Sequence, residues 1–219
     1  MAVDPITIIP RSQFVQVEFS QIAERYELMN QVMTFGQVNR LRKAAIKALD
    51  IRAGMKILDL GAGGGQVSHL IKNIHNDSLV YPSDFNADMI RADVQHTTLP
   101  FSLSDARKLP YPDHSFERVI CGFLLRNIRD YPTVLIEIFR VLKPGGKFVS
   151  LDTTPPVTSI FSPFIWLHMR VLIPIVGTLV TGRINAYRYL VRSSEGFTPQ
   201  VNWKRNLYKP GLRTLDTGN

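Results

Sequence analysis

Apolar side chains recur every three or four residues in two segments near the start of the chain. The first segment covers residues 22–33 and the second covers residues 38–49. This spacing places the apolar side chains on one face of a helix. Two amphipathic helices are therefore predicted before the first strand.

Farther along, short apolar runs alternate with segments of helical spacing. Strands are predicted at 56–60, 79–84, 99–103, 116–123 and 148–151. Helices are predicted at 67–74, 87–94 and 134–142, and the turn Lys143-Pro144-Gly145-Gly146 ends the last of them. This alternation favours a doubly wound arrangement, so the predicted fold class is α/β, a parallel sheet with helices on both faces.

The first predicted strand ends in an acid and is followed by three glycines at alternate positions, in KILDLGAGGGQV of residues 56–67. Glycine lets the backbone adopt positive φ and lets a ligand lie against it, beside the start of the following helix. Counted from Gly61, the sixth position is Gln66, which excludes the Gly-x-Gly-x-x-Gly pattern of dinucleotide-binding turns. A tight turn with a purely structural role is the alternative. The candidate cofactor-binding residues of this segment are Asp59, Gly61, Ala62, Gly63 and Gly65.

Acidic residues follow the second and third predicted strands, at the sheet edge where ligands bind in such folds. Asp84 lies about twenty residues after the glycine turn, a position from which a carboxylate can accept hydrogen bonds from both ribose hydroxyls. Asp105, next to Ala106, is a candidate acceptor for an adenine amino group, and Phe85 offers an apolar face to the ring. Helix capping by Asp84 and a turn or capping role for Asp105 are the alternatives.

The glycine turn resembles the first motif of class I methyltransferases, which have a Rossmann-like fold and use S-adenosyl-L-methionine as cofactor. The resemblance implies that Asp59 lies under the methionine end of the cofactor, near its ammonium group. A structural role at the strand end is the alternative for Asp59.

Five further motifs resemble the ubiquinone/menaquinone biosynthesis C-methyltransferase family, over residues 19–190. They are YELMN (26–30), MTFG (33–36), LLRNI (124–128), RVLKPGG (140–146) and AYRYL (186–190). The resemblance implies methylation of a ring carbon on a reduced polyprenyl quinone precursor, of the demethylmenaquinol or ubiquinone-intermediate type. The alternatives are a non-catalytic relative that serves as a binding or scaffold protein, and a methyltransferase for another aromatic or lipid-like acceptor.

By the same resemblance, Arg126 and Asn127 belong in the acceptor pocket, with Tyr26 near its mouth, and these three are the candidate catalytic residues. They would orient a phenolic hydroxyl or stabilise the charge that develops on it. Because arginine stays cationic, a water or Asp152 is the easier base. A surface ion pair for Arg126 and a core position for Tyr26 are the alternatives. No metal is needed, and the five histidines show no metal-ligand spacing.

The chain departs from the family pattern at four positions. Glu27 replaces an Asp, Arg42 a Trp and Asp152 a Glu, while Asn39 lies near an expected His with one residue inserted. These departures concern substrate fit more than cofactor binding. The family's closing strand pair also looks incomplete beyond Phe197, which predicts a shortened C-terminal β-hairpin and an exposed edge at the fifth strand.

A chain of 219 residues with 45% hydrophobic content can bury one sizeable core. The predicted organisation is an N-terminal extension (1–18) and a single methyltransferase domain (19–219). The lone cysteine, Cys121, excludes an internal disulfide and is expected to be a buried thiol. The first ten residues show no export or organelle signal, so the expected location is the cytoplasm.

Residues 157–180 are strongly apolar, but prolines, a histidine and Arg170 interrupt them, which argues against a membrane span. We expect helices over 157–190 that cover the pocket and touch the bilayer, because the implied substrate is a lipid-like quinol; a plain lid over the core is the alternative. The net charge of +8 favours contact with an anionic surface. Scattered basic residues without a nucleic-acid-binding motif argue against nucleic acid. The expected associations are peripheral contact at the inner membrane face and a quinone-biosynthesis complex or homodimer.

Overall fold

The computed structural model describes residues 11–92, 99–153, 162–181 and 212–216. The helices within these ranges are α1 (Arg11–Ile22), α2 (Tyr26–Met33), α3 (Val38–Leu49), α4 (Gln66–Ile74), α5 (Ala87–Arg91), α6 (Tyr131–Val141), α7 (Ser162–Leu167) and α8 (Ile173–Thr181). The strands are β1 (Lys56–Leu60), β2 (Leu79–Asp84), β3 (Ser102–Leu103), β4 (Phe116–Gly122), β5 (Leu142–Leu151) and β6 (Leu212–Asp216). Strands and helices alternate from β1 to β5, and the predicted α/β class is confirmed.

The described strands form one sheet in the order β3-β2-β1-β4-β5-β6. The first five strands are parallel. In this order β1 is central, with Asp59 opposite Pro82 of β2 on one side and Ile120 of β4 on the other. The carboxyl ends of parallel strands share one edge of the sheet, so the segments that follow β1, β2, β3 and β4 converge there.

The prediction of an exposed edge at the fifth strand is wrong. Strand β6 pairs antiparallel with β5, with Leu151 opposite Leu212 and Lys147 opposite Asp216. A strand from the C-terminal region therefore covers the backbone groups of β5 that would otherwise stay unpaired. The rest of the predicted hairpin falls on residues 197–211, outside the described residues.

Several predicted elements differ in their bounds from the observed ones. The apolar spacing over residues 22–33 belongs to two helices, because α1 ends at Ile22 and a 3₁₀ turn, Ala23–Arg25, precedes α2. Ile22 and Met29 are nevertheless buried in the same cluster. Apolar spacing reports which side chains are buried, whereas the local hydrogen-bond pattern decides whether the helix is continuous. The third predicted strand is also short, with only two residues.

The two faces of the sheet are buried by different helices. Leu58 of β1 packs in a cluster with residues of α6, whereas its neighbour Ile57 packs with residues of α3 and α4. This is the alternation of side chains that a strand covered on both faces requires. Cys121 of β4 is buried in the first of these clusters, which confirms the predicted buried thiol.

A helical segment after β5 packs against the N-terminal helices. Helices α7 and α8 are joined by a π-helical turn, His168–Leu172, so the described part of this region is helical from 162 to 181. Met169 and Ile173 are buried with Phe19 and Met29, beside the sheet edge. Among the described helices, none is both long and apolar enough to cross a membrane. Residues 157–161 and 182–190 of the predicted lid lie outside the described residues.

Candidate functional site

The glycine turn after β1 is tied to the end of β2. The backbone N–H groups of Gly61 and Ala62 both donate to the carbonyl oxygen of Ser83, at 2.8 and 3.0 Å. Gly61 has φ of +70°, and a Cβ at this position would lie 2.7 Å from Leu124 Cδ1. A side chain here would be strained by the backbone angle and blocked by its neighbour, so both conditions require glycine.

Asp84 joins the same turn through its side chain. Its Oδ2 accepts the Gly63 N–H at 2.7 Å, and its Oδ1 accepts the Asn86 N–H at 2.8 Å. Burial raises the pKa of Asp84, and these backbone hydrogen bonds oppose the shift. The alternative role as helix cap falls to Asn86, whose side chain accepts the N–H groups of Asp88 and Met89 at the start of α5. Asp84 therefore bridges the turn and its own strand end.

Asp59 is fully buried beneath the turn and is only half satisfied. Its Oδ2 accepts the Ser68 hydroxyl at 2.7 Å, whereas Oδ1 has no hydrogen-bond partner within the described residues. Burial raises the pKa of Asp59 to about 6, while the Ser68 hydrogen bond and the charge of Arg42 act in the opposite direction. A buried carboxylate oxygen without a donor is a suitable place for a positively charged ligand group.

Asp105 has its carboxylate engaged by a neighbour. The Arg107 side chain donates to both carboxylate oxygens, with Nη2 to Oδ2 at 2.6 Å and Nε to Oδ1 at 3.0 Å, and the Arg107 backbone N–H also reaches Oδ1. The Arg107 guanidinium holds the pKa of Asp105 below its ordinary value. The turn role foreseen for Asp105 is thus present. An adenine amino group would need one of the carboxylate's remaining lone pairs.

A cavity of about 440 Å³ lies at this sheet edge. Its volume is in the range of small-molecule and cofactor pockets. The predicted site residues that line it are Tyr26, Asp59, Gly61, Ala62, Gly63, Asp84, Phe85, Asp105, Ala106 and Asn127. The structure therefore brings ten of the twelve predicted residues to one concave surface, although their roles stay predictions.

Gly65 and Arg126 are the two predicted site residues that do not line the cavity. Gly65 is the N-cap residue before α4, has φ of +84° and lies against Phe101, whose Cζ would be 2.9 Å from an added Cβ. The Arg126 side chain is 0% exposed and forms an ion pair with Asp152, with Nε 3.6 Å from Oδ1. Asp152 also accepts the Leu125 N–H at 3.1 Å. Both partners are buried, so the surface ion pair considered for Arg126 is excluded, and the Arg126 charge acts on Tyr26, which lines the cavity.

Tyr26 and Asn127 lie at the cavity surface. Burial raises the pKa of Tyr26, while the charges of Arg126 and Arg42 partly offset the shift, so the phenol is neutral at physiological pH and able to donate. Asn127 Nδ2 donates to the Phe123 carbonyl oxygen at 2.9 Å. Because the amide nitrogen makes that bond, the remaining polar atom of the side chain is the amide oxygen Oδ1. This oxygen is buried without a hydrogen-bond partner in the described part of the chain. Toward a ligand, the Tyr26 hydroxyl therefore offers a hydrogen-bond donor and Asn127 Oδ1 offers an acceptor.

Three of the four departures from the family pattern contact one another. Arg42 is 4% exposed, and its Nη1 and Nη2 donate to Glu27 Oε1 and Oε2 at 2.7 and 2.8 Å. Nη1 also lies 3.2 Å from Asn39 Oδ1. Arg42 and nearby Asn30 line the cavity, and sequence reasoning did not place either of them in the site. The departures from the family pattern at positions 27 and 42 are the feature of the sequence that could have indicated a role for Arg42 in the site.

Within the described residues, no group of three or more His, Cys, Asp or Glu side chains is arranged to hold a metal ion. The donors and acceptors around the cavity include backbone N–H groups, carboxylates, side-chain amides, a phenol and the Arg42 guanidinium. This set is suited to an organic ligand with ribose and amino-acid parts.

Comparison with known proteins gives consistent matches. The sequence profile of the ubiE/COQ5 methyltransferase family matches residues 8–218. A ubiquinone/menaquinone biosynthesis C-methyltransferase from Desulfotalea psychrophila is 39% identical over 194 residues, covering 87% of this chain and 78% of the relative. A demethylmenaquinone methyltransferase from Deinococcus radiodurans is 34% identical over 209 residues, covering 93% of this chain and 87% of the relative.

Solved structures share the fold. A chain in the complex between the Haloferax volcanii Trm112 methyltransferase activator and a methyltransferase superposes with a TM-score of 0.55 at 25% identity. The match covers 64% of this chain and 60% of that chain. It supports the Rossmann-like arrangement of the sheet and its helices.

Proposed function

This chain belongs to the ubiE/COQ5 methyltransferase family and is an S-adenosyl-L-methionine-dependent methyltransferase, and we propose that it methylates a ring carbon of a reduced polyprenyl quinone precursor. The observation that carries the proposal is that one cavity holds both halves of the candidate site. It joins the glycine turn and Asp84, which suit the cofactor, to Tyr26 and Asn127, which suit a phenolic ring. Aromatic and aliphatic side chains such as Phe19 and Leu124 form much of the rest of the wall.

The cofactor half of the cavity suits S-adenosyl-L-methionine, which when bound supplies a methyl group activated by a positively charged sulfur. Asp84 would accept hydrogen bonds from the ribose, and Phe85 would cover the adenine face beside Asp105 and Ala106. The turn beginning at Gly61 allows the ligand to approach the backbone. The unpartnered Oδ1 of Asp59 would accept a hydrogen bond from the ammonium group.

In the acceptor half, the chain must orient a ring and favour loss of its phenolic proton. Asn127 Oδ1 would accept the ring hydroxyl, and the neutral Tyr26 hydroxyl would donate to the developing phenolate. Arg126 acts as a positioning residue, because its buried charge stabilises negative charge at Tyr26 and at the ring. The proton would pass to a water or to Asp152, which pairs with Arg126 and accepts the Leu125 N–H, two positions before Asn127.

The helical segment 162–181 is the proposed lid and membrane-contacting surface. Phe164 and Leu167 are 70% and 60% exposed, and Val171, Leu172 and Ile175 are exposed on the same segment. Its inner side packs through Met169 and Ile173 onto Phe19, which also lines the cavity. An apolar outer surface on a chain of net charge +8 suits the interface of an anionic bilayer, where a polyprenyl substrate resides.

The proposal is tested with methyl-labelled S-adenosyl-L-methionine and short-tailed demethylmenaquinol or a reduced ubiquinone intermediate. The expected result is label on a ring carbon, with one S-adenosylhomocysteine released per methyl transferred. Asn127→Leu should lower kcat while binding of S-adenosylhomocysteine stays unchanged. Folded wild-type protein that binds S-adenosylhomocysteine but methylates neither quinol would exclude the quinone acceptor. Absence of binding would exclude the cofactor site itself.

A further inference from the structure

Besides Asn127 Oδ1, three buried polar atoms beside the cavity have no hydrogen-bond partner within the described residues. They are Asn30 Nδ2, Arg42 Nε and Asp59 Oδ1. The side chains that carry them all line the cavity, and each is at least 95% buried. Buried donors and acceptors are costly when unpaired, so the set indicates a ligand that satisfies them.

The arrangement is complementary to an amino-acid zwitterion. Two donors, on Arg42 and Asn30, suit a carboxylate, and one acceptor, on Asp59, suits an ammonium group. Burial raises the pKa of both Asp59 and Tyr26, and the positive charge of Arg42 offsets part of each rise. Arg42, Asp59 and Tyr26 all line the same cavity. A ligand with both charges close together would pair with Arg42 and Asp59.

Glu27 gives Arg42 the geometry for this task. The bidentate pair occupies both terminal nitrogens of the guanidinium, and Asn39 contacts one of them. Nε is left as the donor without a protein partner. An arginine held in this way is fixed in position and loses little conformational freedom when it binds a carboxylate.

We infer that Arg42, fixed by Glu27 and assisted by Asn30, binds the carboxylate of the methionine part of S-adenosyl-L-methionine, opposite Asp59. The inference rests on the proposed cofactor site and adds to it a residue type that the family pattern lacks at this position. The ligand at Arg42 is the cofactor rather than the acceptor, because the Arg42 charge influences the Asp59 carboxylate. Asp59 lies at the end of β1, next to the glycine turn.

The test is calorimetric titration with three ligands that differ only at the amino-acid end. S-adenosylhomocysteine has both charges, decarboxylated S-adenosylhomocysteine has only the ammonium group there, and 5′-methylthioadenosine has neither. Arg42→Met should weaken S-adenosylhomocysteine binding about 10- to 100-fold. The affinity of this variant for the other two ligands should stay within about twofold of the wild-type affinity.

Two further variants protect the result against a folding defect. Glu27→Gln combined with Arg42→Met removes both charges and leaves no buried charge unpaired. Arg52→Met removes an exposed arginine of the following loop as a matched control and should change none of the affinities. Equal losses for all three ligands in the double variant would show a purely structural role and overturn the inference. Failure of folded wild-type protein to bind any of the three would overturn the proposed function as well.

Discussion

The Asp84 carboxylate accepts the Gly63 backbone N–H at 2.7 Å, so a side chain at the end of β2 holds the turn that follows β1. The two residues are 21 positions apart in the sequence. Through this bond, the carboxylate expected to bind ribose also shapes the backbone against which the ligand lies. The same contact limits how far either part of the site can move.

Replacing Asp84 should affect ligand binding more than folding. Asp84→Asn keeps one acceptor oxygen and removes a buried charge, so the unfolding free energy should change by no more than about 1–2 kcal/mol. Affinity for S-adenosylhomocysteine should fall at least about tenfold, because one ribose hydroxyl loses its acceptor. Calorimetry and urea unfolding measure the two effects. Asp88→Asn, at an exposed ion pair with Arg91, is the matched control and should alter neither quantity appreciably.

Removing the buried charge of Asp59 should stabilise the ligand-free protein at neutral pH. A folded-state pKa of about 6, above the ordinary 3.8, means that the stabilising contribution of protonated Asp59 is complete below pH 3.8 and lost as pH rises through 6. Asp59→Asn can still accept the Ser68 hydroxyl, so its unfolding free energy should exceed that of wild type by about 1–3 kcal/mol at pH 7.5. Urea unfolding at pH 4.5 should show a smaller difference. A difference in unfolding free energy between Asp59→Asn and wild type that does not change with pH would contradict the raised pKa of Asp59.

The same carboxyl group should make ligand affinity depend on pH. Below pH 6 Asp59 is largely protonated, and an ammonium ligand must displace that proton. Affinity for S-adenosylhomocysteine should therefore rise between pH 5 and pH 7, by at most about tenfold per pH unit. The pKa of Asp84 is also raised, but its proposed ligand group is the ribose, which 5′-methylthioadenosine also has. The difference in slope between the two ligands isolates Asp59, and Asp59→Asn should abolish it.

Two glycines with the same backbone angle separate strain from contact. Gly61 and Gly54 have φ of +70° and +73°, but an added Cβ meets Leu124 at the first and nothing within 4 Å at the second. Gly54→Ala should lower the unfolding free energy by about 1–2 kcal/mol from backbone strain alone. Gly61→Ala should cost more and also weaken S-adenosylhomocysteine binding, because Leu124 lines the cavity. Equal stability losses in the two variants would argue against the tight contact.

Membrane contact should depend on the exposed surface of α7. Phe164→Ser combined with Leu167→Ser should reduce cosedimentation with phosphatidylglycerol-containing vesicles at least about tenfold, since each side chain contributes up to about 1.5–3 kcal/mol when buried. Ile136→Ser is the control, because Ile136 is 67% exposed on α6. If the control variant loses as much binding as the double variant, α7 has no special role.

The local pattern was sufficient for the sheet and for the glycine turn. Strands β1, β2 and β4 and the helices between them follow from runs and spacings within ten or so residues, because burial of a strand or helix face imposes a short period on the sequence. Asp84 could be identified because chain topology brings the carboxyl ends of parallel strands together. Helix continuity at residues 22–26 could not be identified, since it depends on backbone hydrogen bonds that apolar spacing does not record.

Pairings between distant side chains were decided only by the tertiary structure. The sequence showed Glu27 and Arg42 as two separate departures, and the folded chain brings them together as one ion pair between α2 and α3. It named Arg126 as a pocket residue, and only the structure shows that this side chain is fully buried and paired with Asp152. It indicated an exposed fifth strand, which β6 covers. The amino-acid sequence by itself thus determined the main helices and strands and their alternation along the chain. Which side chains form hydrogen bonds, and which of them line the cavity, depends on distances that arise only when those elements pack.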